Sequence, residues 1–478
     1  MEEKVYETVI GLEVHIQLNT KSKIFCGDST FFGSKPNTLV SAISLAHPGT
    51  LPKINEEVIP KAVRFGLALN SQINPSSTFD RKSYFYADLP KGYQITQDKN
   101  PILIGGSLTL EDGSKINIHH VHLEEDAGKS IHHLDASKTF LDYNRAGTPL
   151  LELVTEPDFR SGEQVEQFLY SLRQLIRYID ISDGNMEQGS MRCDVNISVR
   201  HKGEQHYNNR CEVKNVNSMK FAKQAISFEV QRQISIMKAG QTVAQNTLNF
   251  NPDTGETSPL RSKENATDYR YFPDPDLPPV LVSQRFIEDL KKEMPTLPWV
   301  LADEIKQLYG ISNADTRILV AEKETANYFL DYAQQYSHVK SFANLLINKL
   351  LPFCKERKMP LAEMAVTKEN LAKMLSMVAD NTLSMSVATQ KLLPTMLLNP
   401  DASPAQLAAK QGIIQSSDSD ELSTWIDEVI AAFPDKVKAY QNGKKGLLGF
   451  FMGEIMKRSK GKANPKKTNT LLTKKLEA

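Results

Sequence analysis

From Tyr6 onward the chain alternates. In ETVIGLEVHIQL, Ile10, Leu12, Val14, Ile16 and Leu18 are apolar, and Gly11, Glu13, His15 and Gln17 fall between them. A period of two places the first set on one face of a strand and the second on the other. The device returns in MRCDVNISVR. There Met191, Cys193, Val195, Ile197 and Val199 oppose Arg192, Asp194, Asn196, Ser198 and Arg200. LTLEDGSKINI carries Asp112-Gly113 between two alternating runs and predicts a hairpin. TPLLELVTE is an apolar strand interrupted by Glu152, and in RCEVKNVNS Glu212 and Lys214 share a face.

The period changes to helical in two places within this strand-rich part. SGEQVEQFLYSLRQLIRYI opens on Ser161, an N-cap residue, and NSMKFAKQAISFEVQRQISIMKAG closes on Gly240, a C-cap residue. RYFPDPDLPPVLV is proline-dense and must be extended. Strand signals fade around Pro295 and Pro298. Helical patterns such as TRILVAEKETANYFLDYAQQY and KENLAKMLSMVA follow, and LLNPDASPAQ separates them from a last helical module. The pattern predicts an α+β protein with a strand-rich region over 1–292, a helical one over 293–403 and a small helical tail over 404–478. It shows no long internal repeat.

Length agrees, since 478 residues exceed one ordinary domain. No apolar run approaches the roughly 18 residues of a membrane helix, and MEEKVYETVIGLEV lacks the regions of a signal peptide. No membrane partner is expected. Cys26, Cys193, Cys211 and Cys354 are scattered without a CxxC pair, which points to a reducing cytosol. The 57 bases and 57 acids cancel, but unevenly. From Lys436 to the end there are twelve Lys/Arg against two acids, Glu454 and Glu477. Such a tail either meets nucleic acid or is simply solvated.

The polar strand faces carry the candidate chemistry. Glu13 and His15 share a face, roughly 7 Å apart at Cα. A sheet with its polar face in water explains one such strand. Several strands that together offer Glu, Asp, Asn and His, with few lysines beside them, suit a hard cation such as Mg²⁺. Glu152 among leucines is costly unless it is paired or bound to a cation.

HLEEDAGKS ends like a phosphate loop, yet Leu123 stands where that motif needs glycine. Its acids make sense beside phosphate only if a divalent metal lies between them. Glu124 and Glu125 are neighbours on a strand, so only one of them faces the metal. His119, His120, His122, His132 and His133 crowd this segment, either as a zinc cluster or as solvent-facing hairpin residues. No G-x-S-x-G, H-R-D or H-E-x-x-H motif occurs, and no nucleophile stands out.

The stretches ETVIGLEVHIQL, FDRKSYFYADLPKGYQITQ, HLEEDAGKS, DYNRAGTPLLELVTEPDFRS, GSMRCDVNISVR, EVKNVNS, DYRYFPDPDLP and SKGKANP span residues 7–465. Together they resemble the B subunit of the heterotrimeric aspartyl/glutamyl-tRNA(Asn/Gln) amidotransferases. The resemblance implies a cradle domain built on antiparallel sheet, a helical domain, and a tail that engages the tRNA elbow. It implies ATP- and Mg²⁺-dependent phosphorylation of the side-chain carboxylate on a misacylated tRNA. Ammonia from a glutaminase A subunit then attacks the acyl phosphate, and a small C subunit completes the complex.

By the same resemblance Glu13, His15 and Glu125 form the metal and phosphate site. Glu124 and Glu152 support it, and Asp194, Asn196 and Lys214 lie close by. Lys82 and Tyr84 contact substrate, and Lys457, Lys460, Lys462, Lys466 and Lys467 meet tRNA. Many relatives bind zinc through Cys-x-Cys and Cys-x-x-Cys. Here only Cys26 remains, with Asp28, Ser41 and Ser44 in place of the others, so no zinc is expected and local packing should take over its structural role. Two other readings compete: a tRNA-binding scaffold that has lost its chemistry, and an unrelated metal-dependent hydrolase.

Overall fold

The computed structural model describes residues 5–132, 134–135, 137–262, 269–415, 419–459 and 461–477. The chain divides into two compact units, Met1–Pro298 and Trp299–Ala478.

The first unit is organised by one ten-stranded sheet. Its main strands are β1 (Tyr6–Gln17), β2 (Lys115–Glu125), β3 (Pro149–Thr155), β4 (Met191–His201), β5 (Cys211–Lys214), β6 (Asn246–Asn251) and β7 (Glu256–Ser262). They lie in the order β7-β6-β5-β4-β1-β3-β2, so the N-terminal strand is central. Every neighbouring pair in this run is antiparallel except β5 and β6. These two run parallel because helix α2 (Met219–Lys238) carries the chain back between them, and a parallel pair needs such a crossover.

Alternation decides what each face meets. Ile10, Leu12, Val14 and Ile16 of β1 join Cys193, Val195 and Ile197 of β4 in one buried cluster. Helix α1 (Gly162–Tyr178) adds Val165, Phe168, Leu169, Leu172 and Ile176 to it, and α2 adds Ala222, Ala225 and Ile226. Helix α1 starts as the sequence predicts, with Ser161 accepting from the N–H of Gln164, and Ser218 caps α2 in the same way, accepting from the N–H of Phe221. Gly240, at φ +71°, follows the end of α2. With the apolar face packed on helices, the opposite face of the same strands is left for polar residues.

The second unit is helical throughout its described residues. Two turns of π-helix, Leu346–Leu350 and Ala388–Leu392, each run into a proline at the second position of the next helix, Pro352 and Pro394. A proline has no N–H to donate back, and the widened turn accommodates the missing bond. Near its C-terminus Leu422, Ile426, Val429, Phe451, Ile455, Leu472 and Leu476 form a core of their own. No described helix is long and apolar enough to cross a membrane. The α+β class is the one the hydrophobic pattern predicts; the parallel β5–β6 pair departs from the purely antiparallel sheet.

Candidate active site

Strand register brings the polar residues into one strip. His122 of β2 stands opposite Glu152 of β3, and Glu152 opposite His15 of β1. His15 stands opposite Arg192 of β4, Glu13 opposite Asp194, and Asn196 opposite Glu212 of β5. Directly opposed residues share a face. The strip therefore crosses five strands.

It resolves into two groups. In the first, one ligand atom each of His15, Glu124 and Glu152 lies within 4.8 Å of the others. His15 Nε2 is 3.4 Å from Glu124 and 3.2 Å from Glu152, and His122 Nε2 is 3.6 and 3.5 Å from the same two carboxylates. Burial works against the charge on both imidazoles, but the acids outweigh it. His15 is raised and His122 is pushed up to about 10. Burial also opposes the Glu152 carboxylate, yet His122 and His15 hold it well below the ordinary range.

The second group is Glu13, Asp194 and Glu212, again within 4.8 Å of one another. Lys214 bridges it, with Nζ against Asp194 and 2.7 Å from Glu212. Asn196 Nδ2 donates to Glu13 at 2.9 Å. Burial, followed by Glu152 and Glu212, raises the Glu13 carboxyl. Burial disfavours the Lys214 ammonium, but Asp194 and Glu212 carry its pKa above the ordinary lysine value.

One lysine does not balance three carboxylates. The buried Oδ1 of Asn196 also has no hydrogen-bond donor. The oxygen-rich second group and the mixed first group both fit a hard divalent cation. The apolar side chain of Cys193 faces the core, and Ser198 gives its hydroxyl to Asn208 O at 2.9 Å. Among the described residues the strip presents carboxylates, imidazoles and one lysine, and no activated nucleophile.

Glu125 belongs to neither group, which corrects the expectation from resemblance. Its carboxylate turns to the other side of β2, where it accepts from Ile95 N at 2.9 Å and pairs with Lys91. Glu124 is the member of the pair on the strip. Lys82 lies near the first group: burial opposes its charge, and Glu124, Tyr271 and Glu152 raise its pKa above the ordinary value. Tyr84 joins neither group. Its ring lies 5.0 Å from that of Tyr86, its hydroxyl bonds to Asp88, and burial with the Asp88 charge raises its pKa.

Gly128 is explained by crowding, since a Cβ there would meet Asp88 O at 2.7 Å and Asp142 O at 2.9 Å. Lys129 and Ser130 then enter a short strand paired with Phe140–Asp142. The crowded histidines split up. His122 joins the strip, and His120 stacks on it at 5.2 Å, with burial then His122 lowering its pKa to about 4. His132 pairs with Thr139, and His133 lies outside the described residues.

Cys26, Asp28, Ser41 and Ser44 converge. Asp28 accepts from Cys26 Sγ at 3.3 Å, from Ser41 N at 2.9 Å and from the Ser44 hydroxyl. Hydrogen bonds to a carboxylate, rather than packing alone, fasten this loop. In the tail Lys457, Lys462, Lys466 and Lys467 are exposed around the turn between the last two helices, and Lys460 lies outside the described residues.

His122, Arg192 and Glu212 also lie on the strip; the sequence placed Arg192 and Glu212 on polar strand faces and His122 in a histidine cluster, without assigning any of them to the site. Each lies two positions from a selected one, so alternation alone would have found them.

The sheet with this polar face lies within residues 8–288, which match the family model of the GatB/GatE catalytic domain. A second model, the GatB domain, matches residues 327–476. The chain is 45% identical over 478 residues to the B subunit of the aspartyl/glutamyl-tRNA(Asn/Gln) amidotransferase of Alkalilimnicola ehrlichii, covering 99% of this chain and 100% of that one. It is 44% identical over 475 residues to the protein of the same name from Rickettsia bellii, covering 98% of each. The Neisseria meningitidis serogroup B protein is 44% identical over 474 residues, covering 98% of this chain and 99% of its own length. The chain belongs to the family of aspartyl/glutamyl-tRNA(Asn/Gln) amidotransferase B subunits.

Proposed function

We propose that this chain activates the side-chain carboxylate of glutamate or aspartate carried by the wrong tRNA, so that ammonia converts it to an amide. The substrates are those in the relatives' name, aspartyl and glutamyl groups on tRNA(Asn/Gln). The observation that carries the reading is the two ligand groups, His15–Glu124–Glu152 and Glu13–Asp194–Glu212, side by side on one face. These residues would hold Mg²⁺, which supplies charge neutralisation and alignment of ATP phosphates.

A carboxylate is a poor electrophile until phosphate gives it a leaving group. Its oxygen bonds to the γ-phosphorus and ADP departs. Ammonia then attacks the carbonyl carbon, the bond to the phosphate oxygen breaks, and the proton lost by the nitrogen ends on the departing phosphate. The chain's part is positioning and charge. Lys214, fixed between Asp194 and Glu212, offers its ammonium to phosphoryl oxygens. His15 and His122 hold Glu124 and Glu152 in place. A cavity of about 450 Å³ adjoins Glu13 and Asn196 and is lined by Tyr207, Asn208 and Asn209; it has the size and polarity for the nucleoside of ATP.

The labour divides in three. Residues 1–292 form the cradle, 293–403 a helical domain, and 404–478 a basic tail that meets tRNA through Lys457, Lys462, Lys466 and Lys467. The separate core from Leu422 to Leu476 supports a unit within that tail. A glutaminase A subunit supplies ammonia, a small C subunit completes the heterotrimer, and the assembly works in the cytoplasm.

The test is the reconstituted heterotrimer with misacylated tRNA. Glu124→Ala and Glu212→Ala should each lower amide formation by about a hundredfold or more while glutamine cleavage and tRNA binding persist. A wild-type complex that cleaves glutamine and binds tRNA but never forms the acyl phosphate would instead make this chain a scaffold.

A further inference from the structure

Glu229 of α2 is fully buried, and so is Gln233, one turn further on. Both fall on the face of the helix that Ala222, Ala225 and Ile226 turn to the sheet, where helical spacing calls for apolar residues. A carboxylate in such a place is costly unless it is paired. Here it is paired on both oxygens. Arg232 Nε donates to Oε2 at 2.8 Å and its Nη2 to Oε1 at 2.7 Å. Gln233 Nε2 donates to Oε1 at 2.9 Å, and Thr257 Oγ1 of β7 donates to Oε2 at 3.0 Å.

The bonds continue into the strands that carry the second ligand group. Gln233 Nε2 also donates to Ile197 O of β4 at 3.1 Å, and Arg232 Nη2 donates to Cys211 Sγ of β5 at 3.5 Å. Ile197 and Cys211 are partners in the ladder. The network therefore grips both members of one cross-strand pair from the helix side.

That grip bears on register. β5 is four residues long. Residues 202–210, which lead into it, are exposed, and Asn215 turns the chain just after it at φ +65°. With a period of two, Cys211 and Val213 face the core while Glu212 and Lys214 face the strip. A slip of one residue would exchange the two sets and take Glu212 and Lys214 away from Glu13 and Asp194. On the strip side Thr247 of β6, itself fully buried, donates its hydroxyl to Glu212 Oε2 at 3.3 Å.

We infer that Glu229 is a positioning residue for the second ligand group. Through Arg232 and Gln233 it fixes the Ile197–Cys211 pair, and with it the Glu212 carboxylate and the Lys214 ammonium on the opposite face. Stability alone does not account for such an acid, because apolar replacement of buried ion pairs is often neutral or stabilising. Geometry at the site does. This rests on the amidotransferase reading above and extends it to residues that touch neither cation nor phosphate.

The experiment compares wild type, Glu229→Gln and Arg232→Lys as reconstituted heterotrimers, each below its melting range. Glu229→Gln keeps the shape and removes the charge. Arg232→Lys keeps the charge but gives up the fork that reaches both Glu229 oxygens and Cys211. Without metal, amide hydrogen exchange over residues 211–214 should be faster in both variants, and exchange over β1 should not. Mn²⁺ titration should show the Glu13–Asp194–Glu212 site weakened by about tenfold, as changes behind a ligand shell do, with the His15–Glu124–Glu152 site unchanged. The kcat for amide formation should fall by about the same factor, with glutamine cleavage and the KM for tRNA unchanged.

Variants that melt lower yet keep wild-type Mn²⁺ affinity and kcat would overturn the inference and leave Glu229 a structural acid. Equal weakening of the two sites would overturn it too. If Glu229→Gln does not assemble, Arg232→Lys decides by the same measures. Unchanged variants beside a wild type that binds Mn²⁺ and amidates tRNA sink only this inference. A wild type that binds no Mn²⁺ at the second group sinks the functional reading and this inference with it.

Discussion

Glu124 and Glu125 are adjacent on β2, and their carboxylates lie on opposite faces of the sheet. Glu124 faces His15 and His122, 3.4 and 3.6 Å away, and Glu125 faces Lys91 and the N–H of Ile95. The first belongs to the candidate site and the second fastens β2 to the neighbouring strand Tyr93–Thr96. Substituting each by alanine should therefore separate activity from stability. Glu124→Ala should lower amide formation by about a hundredfold or more, through loss of charge stabilisation at phosphate. Glu125→Ala leaves the Lys91 ammonium without its partner, and removing one side of a buried pair costs about 3 kcal/mol. Thermal melts should show the larger drop for Glu125→Ala. A large melting loss in Glu124→Ala with little in Glu125→Ala would reverse the assignment.

The two ligand groups predict two classes of divalent cation site. Titration with Mn²⁺, read by electron paramagnetic resonance, should saturate with two ions per chain. Glu212→Ala should leave one, and Glu152→Ala should leave the other. Unchanged stoichiometry in both variants would show that the carboxylates only pair with His15, His122 and Lys214.

Much of this site is legible in alternation. Glu13, His15, Asp194 and Asn196 fall on one face because a strand has period two, and the structure places them so. The same rule says that Glu124 and Glu125 diverge but not which of them joins the strip. That depends on His122 standing opposite Glu152, a pairing between strands set by the tertiary fold. Arg192 was readable as a polar-face residue. Its role was not, because its partner Asp126 lies far away in the chain. The parallel β5–β6 pair was also hidden, since a crossover through a helix leaves no turn motif of its own. Near Cys26 the sequence shows Asp28, Ser41 and Ser44 but not the hydrogen bonds that draw Ser41 and Ser44 onto Asp28.

That Asp28 knot has a pH dependence with a defined sign. Burial raises the Asp28 carboxyl, but hydrogen bonds from Ser44, Cys26 and Ser41 outweigh it and hold the pKa below the ordinary aspartate value. A depressed folded pKa contributes stability above the unfolded pKa, near 3.9, and that contribution is lost as pH falls through the folded value. Asp28→Asn should cost about 2 kcal/mol at neutral pH, the worth of hydrogen bonds to a charged acceptor. The gap in melting temperature between wild type and variant should shrink below about pH 4. A gap independent of pH would show that the carboxylate charge contributes nothing.

The tail should bind through phosphate. Lys457, Lys462, Lys466 and Lys467 are exposed on one short stretch, and removing one lysine–phosphate pair reduces the salt slope of log K by about 1. Alanine at all four should weaken binding of different tRNAs alike and flatten the salt dependence. Loss confined to one tRNA sequence would mean base readout instead.

Lys214 gives the sharpest test of the second group, because it competes with the cation that the group is proposed to hold. Its ammonium lies between Asp194 and Glu212, and burial, then Glu152, Glu212 and Asp194, raise the neighbouring Glu13 carboxyl. Replacing Lys214 by methionine keeps the length and removes the charge. Without metal, the three carboxylates then repel one another, and the melting temperature should fall. With Mn²⁺ the group has lost a competitor, so the affinity of that site should rise about tenfold, or 1.4 kcal/mol, and the melting temperature should recover. Amide formation should nonetheless drop, because the phosphoryl group has lost its lysine. Tighter metal with poorer turnover is a combination that a purely structural lysine does not produce. Weaker Mn²⁺ binding in Lys214→Met would instead make the ammonium an organiser of the cation site.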